Sequence, residues 1–163
     1  MDTIALEEHI HALATLPEAE EPIVSCYAAV ENGRLKRPNL FEEQMRALKT
    51  GLKGEGRSLL EDALAPIRSI VAAGMPSDAK GVAFFSRAGE SPHFLYLRFL
   101  VALPTWISVG KWPSIFHLVE LKDTYDRYVV MLSAKDRVRI IEINLGEPRE
   151  HTRAHSPHMH KEA

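Results

Sequence analysis

The sequence predicts an α/β protein of the α+β kind, in which helices flank a mixed β-sheet and a C-terminal β-hairpin follows. Apolar residues recur at helical spacing in the first half, whereas short β-branched and aromatic runs dominate the second half. A polar turn separates the runs 128–133 and 138–143, which is typical of a hairpin. The 163-residue chain is 45% hydrophobic, which is enough for a packed core.

The first two elements are a helix and a buried strand. Apolar residues of the segment 3–16 share one helical face, and Pro17 ends the predicted helix. Residues 23–30 form an apolar run with β-branched and aromatic members, bounded by a proline and an Asn-Gly pair. Such a run predicts a strand that is covered on both faces.

Two further helices are predicted next. Asn39 is placed to cap the first, which runs to about Lys53 and is broken by a glycine-rich stretch. The second begins at Ser58 and ends at Gly74. Pro66 lies inside it and predicts either a kink or two shorter helices, because proline lacks the N–H of the helical hydrogen bond.

The second half is predicted to contain strands around one helix. The strands are expected over 81–86, over 94–99 or as far as 103, and over 106–109, 128–133 and 138–143. A helix is predicted over 113–123, and the hairpin turn over 134–137. After Gly146 the chain becomes polar and His-rich, and these residues are expected to fray.

Composition restricts the cellular setting. The single cysteine, Cys26, can form neither an internal disulfide nor a thiolate metal site, so a reducing, cytoplasmic location is expected. No basic-then-apolar signal segment opens the sequence. The most apolar stretch, Phe94–Val109, is too short to span a bilayer and contains Arg98 and Pro104, so no membrane partner is expected.

Charge is distributed unevenly, although the net charge is only −2. Residues 1–33 contain acidic side chains and no Lys or Arg, whereas residues 34–57 are basic. The candidate RNA-binding residues in this basic segment are Arg34, Lys36, Arg37, Arg46, Lys49, Lys53 and Arg57. They could neutralise phosphates, but only Phe41 lies nearby to stack on a base, so a solvated helix face is the alternative interpretation.

The segment Gly51–Ser58 approaches the phosphate-binding pattern GxxxxGK[ST], with Arg57 in place of lysine. A true phosphate loop follows a buried strand, whereas a helix is predicted to precede this segment. Arginine also differs from the compact ammonium group that contacts terminal phosphates. A glycine-rich connection between helices is the preferred interpretation, and a nucleotide-binding enzyme stays as an alternative.

Four histidines near the C-terminus are candidate metal ligands: His151, His155, His158 and His160. They lie in a polar segment without the surroundings that fix ligand geometry, so no metal or other cofactor is predicted. No Gly-x-Ser-x-Gly motif is present, and Cys26 lies mid-strand without a cationic neighbour in sequence. No catalytic residue is therefore assigned, and a metal-dependent enzyme stays as an alternative.

Several segments occur in a recognisable order: Ile23–Val30 after Pro22, Lys80–Phe85, Leu103–Pro104, Trp106–Gly110, Phe116–Leu118, Asp126–Ser133 and Val138–Ile143. In this order and spacing they resemble the bacterial relatives of the archaeal and eukaryotic class-one peptide release factors, over about residues 20–145. The resemblance implies an N-terminal α/β domain over 1–123 and a hairpin over 124–150 that corresponds to the start of a central domain. A polar, His-rich tail would follow over 151–163.

The family pattern also shows what this sequence lacks. Release factors of this kind hydrolyse peptidyl-tRNA through a Gly-Gly-Gln loop, whereas this sequence has no Gly-Gly pair and a single glutamine, Gln44. The codon-reading tetrapeptide Asn-Ile-Lys-Ser is absent as well. What the resemblance leaves is ribosome binding, with rRNA contacted by the basic segment 34–57.

The leading hypothesis is therefore a non-enzymatic, translation-associated binding module that binds the ribosome in stalling, rescue or hibernation. The second is a small intracellular protein-interaction domain that binds a protein partner or itself without RNA, which the adjacent acidic and basic segments would suit. The third is a nucleotide- or metal-dependent enzyme. One scaffold can host unrelated sites, so the fold alone does not decide among them.

Overall fold

The computed structural model describes residues 3–125, 127–133 and 137–155. The helices are α1 (Thr3–Ala14), α2 (Pro38–Lys49), α3 (Gly54–Ala73) and α4 (Phe116–Thr124). The strands are β1 (Ile23–Glu31), β2 (Arg34–Leu35), β3 (Gly81–Arg87), β4 (His93–Phe99), β5 (Trp106–Gly110), β6 (Tyr128–Ser133), β7 (Arg137–Asn144) and β8 (Glu147–His155). The predicted α/β class, with helices flanking a sheet, is confirmed.

β1 lies at the centre of a five-stranded sheet. β3 lies along one edge of β1 and β4 lies beyond it, while β5 and the short β2 share the opposite edge of β1. All described pairs are antiparallel, which corrects the expected mixed sheet in that detail. Parallel neighbouring strands are usually joined by a single crossover helix. Here β1 is joined to β3 by β2 and two successive helices, and the two strands are antiparallel.

Helices cover both faces of this sheet. Cys26 and Phe84 belong to the apolar core formed with α2 and α3. Their sequence neighbours Tyr27 and Phe85 belong to the core formed with α1 and α4. Because side chains alternate between the faces of a strand, a strand between two cores must be apolar throughout, which explains the run 23–30.

The two helices beside the basic segment differ from their predicted bounds. α2 begins at Pro38 with Arg37 as its N-cap, so the predicted cap Asn39 lies inside the first turn. α2 ends at Lys49 rather than near Lys53, and α3 begins at Gly54 and contains Gly56, so the connection over residues 50–53 lies earlier in the chain than predicted. Glu55 in the first turn of α3 favours this earlier start, because a carboxylate complements the positive end of a helix.

Pro66 lies within α3 and does not divide it. A proline inside a helix costs about 3 kcal/mol, since it removes one hydrogen bond and crowds the preceding turn. The face of α3 that contains Leu64 and Ile67 is buried against the sheet, and Ser86 Oγ donates a 2.6 Å hydrogen bond to the carbonyl of Ala63. Tertiary packing therefore maintains one helix where the sequence also allowed two pieces.

The most apolar stretch, Phe94–Val109, contains most of β4 and β5 and the connection between them. Leu97 and Phe99 of β4 and Ile107 of β5 are buried, as expected for strands of a packed sheet. In the parts of the chain that the structure describes, no helix has the length and apolar character needed to cross a bilayer.

A second sheet has the strand order β6–β7–β8. The predicted hairpin is confirmed, since β6 pairs antiparallel with β7 from Tyr128 opposite Ile143 to Ser133 opposite Val138. The turn positions 134–136 lie outside the described residues. β8 corrects the expectation that the chain frays after Gly146, because it pairs along the length of β7. The predicted tail thus begins within a strand, and residues 156–163 lie outside the described part.

The turn between β7 and β8 attaches the second sheet to the first. Leu145 is buried in the same core as Val101, and Asn144 Oδ1 accepts hydrogen bonds from the backbone N–H and the Oγ1 of Thr3, at 3.0 and 2.5 Å. Gly146 has a φ of +77°, and a Cβ there would lie 2.8 Å from the Val101 side chain. The turn therefore requires glycine both for its backbone and for its close approach.

Candidate nucleic-acid interface

Most of the candidate RNA-binding residues have exposed side chains: Arg34, Lys36, Arg37, Arg46, Lys53 and Arg57. They follow the chain from β2 through the segment that leads into α2, along that helix and into the first turn of α3. Exposure leaves these cations able to contact phosphate groups, whose attraction to Lys and Arg dominates non-specific nucleic-acid binding. A solvated helix face would be exposed as well, so the RNA-binding role of these residues stays a prediction.

Lys49 is the exception, because its ammonium group pairs with the carboxylate of Glu61 on α3. Arg68 pairs with the same carboxylate at 3.2 Å. These contacts, led by the hydrogen bond from Lys49, hold the pKa of Glu61 below its usual range. Lys49 therefore links α2 to α3, and its side chain, only 16% exposed, is poorly placed to contact a phosphate.

The N-terminal ends of α2 and α3 add to the positive charge of this region. Arg37 and Lys53 are the N-cap residues of the two helices, and neither makes a side-chain capping bond. A helix N-terminus carries N–H groups without helical partners and a partial positive charge. At both ends a cation therefore lies beside a helix terminus that favours anions, although Glu55 reduces the effect at α3.

Gly51–Ser58 does not have the arrangement of a phosphate loop. It follows α2 rather than a strand, and from Gly54 onward it belongs to α3. In a phosphate loop the backbone amides surround the anion between a strand and a helix. The geometry therefore supports the interpretation as a connection between helices and gives no support to a nucleotide site.

A cleft of about 720 Å³ opens beside the start of α3. Its carboxylates come from the loop before β1, from α3 and from the turn between β3 and β4: Glu20, Glu21, Glu55 and Glu90. Such a cleft repels phosphate when its carboxylates are ionised. The grouping has no signature in the sequence, because segments far apart along the chain form it.

Within this cleft, the carboxylate of Glu21 is fixed by a hydrogen bond. Its carboxylate accepts a 2.9 Å hydrogen bond from the backbone N–H of Glu90, and this bond holds the pKa of Glu21 below its usual range. Gly89 packs against the same carboxylate, since a Cβ at that position would lie 2.6 Å from Glu21 Oε1. A carboxylate with a lowered pKa stays ionised and is a poor general base, so Glu21 orders the turn rather than serving proton transfer.

Among the residues that the structure describes, those that could support metal or thiol chemistry are not brought together. Within the described residues, no group of three or more His, Cys, Asp or Glu is placed to hold a metal ion. His151 and His155 lie in β8, while His158 and His160 lie outside the described part of the chain. Cys26 is fully buried, and burial raises the pKa of its thiol, so it is not a reactive thiolate near neutral pH.

No protein-family model and no curated protein matches the sequence. A solved structure described as an archaeal protein has a TM-score of 0.56 and 10% identity, covering 100% of this chain and 48% of that chain. The crystal structure of the archaeal translation termination factor aRF1 has a TM-score of 0.57 and 12% identity, covering 95% of this chain and 45% of that chain.

The similarity to these two structures is a similarity of fold. At 10% and 12% identity it does not carry residue roles from those structures to this chain. The chain spans about half the length of the two structures that it matches. The fold therefore resembles part of an archaeal translation termination factor, which agrees at this coarse level with the resemblance seen in the sequence.

Proposed function

We propose that the chain is a non-catalytic, translation-associated module that binds the ribosome by contacting rRNA phosphates. The observation that carries the proposal is the likeness of fold to an archaeal translation termination factor over 95% of the chain. Translation terminates on the ribosome, so a scaffold of this type favours a ribosomal partner. The order of sequence segments that resembles bacterial release-factor relatives points the same way.

The surface best suited to this role is the basic patch, which we define as Arg34, Lys36, Arg37, Arg46, Lys53 and Arg57. Lys49 is left out because its charge is already paired with Glu61. Phe41, the aromatic residue of this segment, is buried in the core and therefore does not stack on a base. Binding would thus depend on phosphate contacts and RNA shape rather than on base sequence.

Co-sedimentation of the purified chain with bacterial ribosomes, at two salt concentrations, tests the proposal. The chain is expected to co-migrate at low salt and to dissociate at high salt, because cations bound to RNA phosphates are released when the protein binds. Absence of co-migration at both salt concentrations would overturn the proposal for this chain.

A pair of charge-matched variants tests the basic patch. Arg37→Glu/Lys53→Glu changes two exposed N-cap cations and is expected to weaken binding and to flatten its salt dependence. Lys80→Glu/Lys111→Glu makes the same change of net charge outside the patch and is the control. The pairing of Lys111 with Glu18 joins two exposed side chains, so its loss should matter little for stability. Equal weakening by both variants would show that binding depends on net charge and not on the patch.

A protein-interaction module without RNA binding is the second candidate. The observation that favours it is the exposed, uncharged strand β6, whose side chains have the character of a protein-binding surface. A chain that fails to bind ribosomes but forms a defined complex with a protein would support this second function.

A further inference from the structure

Within the described residues, the second sheet has one protected edge, formed by β8, and one unprotected edge, formed by β6. β8, at the first edge, contains Pro148 and charged residues, and a register shift between Ile140 and Ile141 interrupts its ladder with β7. Prolines, charges and bulges of this kind keep an edge strand from pairing with another chain. β6, at the other edge, contains no charged residue, no proline and no register shift along its pairing with β7.

β6 is also an exposed apolar segment. Met131 is 67% exposed, Val129 63% and Tyr128 54%, and the two remaining apolar residues of the strand are exposed as well. Within the described residues its strand partner is β7 alone. In an antiparallel ladder, alternate residues direct their N–H and C=O groups away from the neighbouring strand. An open backbone edge with apolar side chains is suited to adding another β-strand.

We propose that this edge pairs with β6 of a second copy of the chain, giving a two-fold dimer with one continuous six-stranded sheet. A two-fold axis perpendicular to the sheet keeps every side chain on its own face. Centred on Val130, it places Tyr128 opposite Leu132 of the second copy and Val129 opposite Met131 of the second copy. Cross-strand pairs of aromatic and aliphatic side chains stabilise antiparallel sheets.

The charges near this edge permit a second copy as its occupant. Arg127, which precedes β6, would lie opposite Ser133 of the second copy, so the pairing brings no two like charges together. The guanidinium of Arg127 is also balanced within its own chain, since its Nε lies 2.7 Å from Glu142 Oε1. A strand that is uncharged along its length therefore pairs with itself without electrostatic cost.

The area involved predicts a dimer that dissociates on dilution. The five apolar side chains of β6 are roughly half exposed, which corresponds to about 100 Å² each for residues of this size. Two copies would then bury at most about 1,000 Å² through these side chains, which is near the lower limit for a specific interface. The inference is independent of ribosome binding, because β6 shares no residue with the basic patch.

Sedimentation velocity of the full chain over a range of concentrations tests the proposal. The mass is expected to approach twice the 18.3 kDa of one chain at high concentration and to fall to 18.3 kDa on dilution. A mass of one chain at every concentration would overturn the proposal. An open-ended series of larger species would overturn the closed two-fold pairing as well.

Matched variants locate the interface. Met131→Lys introduces a charge near the centre of the paired edge and is expected to raise the dissociation constant at least tenfold. Phe116→Lys makes the same change at a comparably exposed apolar residue, 65% exposed on α4, and should leave the dimer unchanged. The opposite result, with the dimer lost in Phe116→Lys and kept in Met131→Lys, would place the interface elsewhere and overturn the proposal.

A charge pair tests the register. Val129→Lys alone should weaken the dimer, whereas the double variant Val129→Lys/Met131→Glu places opposite charges across the interface and should restore it in a salt-sensitive manner. Failure of the double variant to dimerise better than Val129→Lys would contradict the pairing centred on Val130. A circular dichroism spectrum would show whether Met131→Lys folds. If it does not, the comparison of Val129→Lys with the double variant still tests the interface.

Discussion

The phenol hydroxyl of Tyr27 donates a 2.6 Å hydrogen bond to the backbone carbonyl of Ser114. Ser25 lies two residues earlier on β1, and its Oγ accepts a 2.8 Å hydrogen bond from the backbone N–H of Ser114. β1 therefore holds both backbone groups of Ser114 and fixes the segment that leads into α4. Tyr27 is fully buried, and burial raises the pKa of its phenol, so the hydroxyl keeps the proton that it donates.

We expect Tyr27→Phe to lower the free energy of unfolding by about 1–3 kcal/mol, because the Ser114 carbonyl loses its side-chain partner inside the protein. Tyr96→Phe is the matched control. The Tyr96 hydroxyl is buried without a hydrogen-bond partner in the described structure, and its ring stacks on Phe84 at 4.9 Å. Removing that hydroxyl should be neutral or stabilising. Urea denaturation measures both changes, and equal losses in the two variants would contradict the assignment.

Two glycines predict opposite effects of the same substitution. Gly33 lies in the turn after β1 with a φ of +75°, and a Cβ there would overlap the carbonyl oxygen of Met75. Gly33→Ala should therefore destabilise the protein by more than the 1–3 kcal/mol of backbone strain alone. Gly56 lies inside α3 with open space around it, so Gly56→Ala should stabilise by about 0.5–1 kcal/mol. Thermal melts of both variants check this, and a stabilising Gly33→Ala would refute the close contact.

Glu21 predicts a pH dependence on the acid side. Its pKa lies below the ordinary value of 4.5 in the folded protein, because it accepts the hydrogen bond from the Glu90 N–H. A group of this kind contributes fully above its unfolded pKa, and its contribution is lost as the pH falls through the folded pKa. Glu21→Gln should therefore lower the melting temperature near neutral pH and flatten its fall below about pH 4.5.

Melting temperatures over a pH series measure this effect. Glu20→Gln, in the same cleft but without a described bond to that turn, controls for the loss of one negative charge. If both glutamine variants flattened the acid limb equally, the bond between Glu21 and Glu90 would not be its cause.

The ion pair of Lys49 and Glu61 predicts a coupling between α2 and α3. Lys49→Glu should destabilise the protein, because it opposes two carboxylates and leaves Arg68 as the cation of Glu61. The exchange Lys49→Glu/Glu61→Lys should recover part of the loss, and a double-mutant cycle by urea denaturation measures the interaction. Arg46→Glu, the same change at an exposed position of α2, is expected to change stability by about 0.5 kcal/mol or less. A cycle without coupling would show that the pair contributes nothing.

Most strands of the first sheet could be predicted from sequence, because buried strands leave local apolar patterns, whereas the short β2 was not predicted. The run 23–30 had to be a strand between two cores, and the structure places β1 there with one further residue. The direction of the neighbouring strands could not be predicted, because it depends on how many elements the chain passes before it returns to the sheet. β8 was missed because its polar residues pair through their backbones, which leave no apolar pattern in the sequence.

In the candidate site, too, some features could be predicted from the sequence and others depend on tertiary packing. Exposure of Arg37, Lys53 and Arg57 could be expected, since Lys and Arg are seldom buried. The ion pair of Lys49 and Glu61 could not be expected, because the two residues meet only when α2 and α3 pack together. The acidic cleft could not be predicted for the same reason, since Glu21 precedes β1 whereas Glu90 lies in the turn between β3 and β4.

By itself, the sequence determined the α/β class, most helices and strands, the hairpin of β6 and β7, and the basic character of 34–57. These follow from periodicity, turn residues and charge, which act over a few neighbouring positions. Only the tertiary structure decided that the first sheet is antiparallel, that Pro66 lies in an unbroken helix, and that β6 pairs on one side alone within the described residues. Each of these depends on contacts between segments far apart in the chain, where the packing of one element selects among conformations that its own residues allow equally.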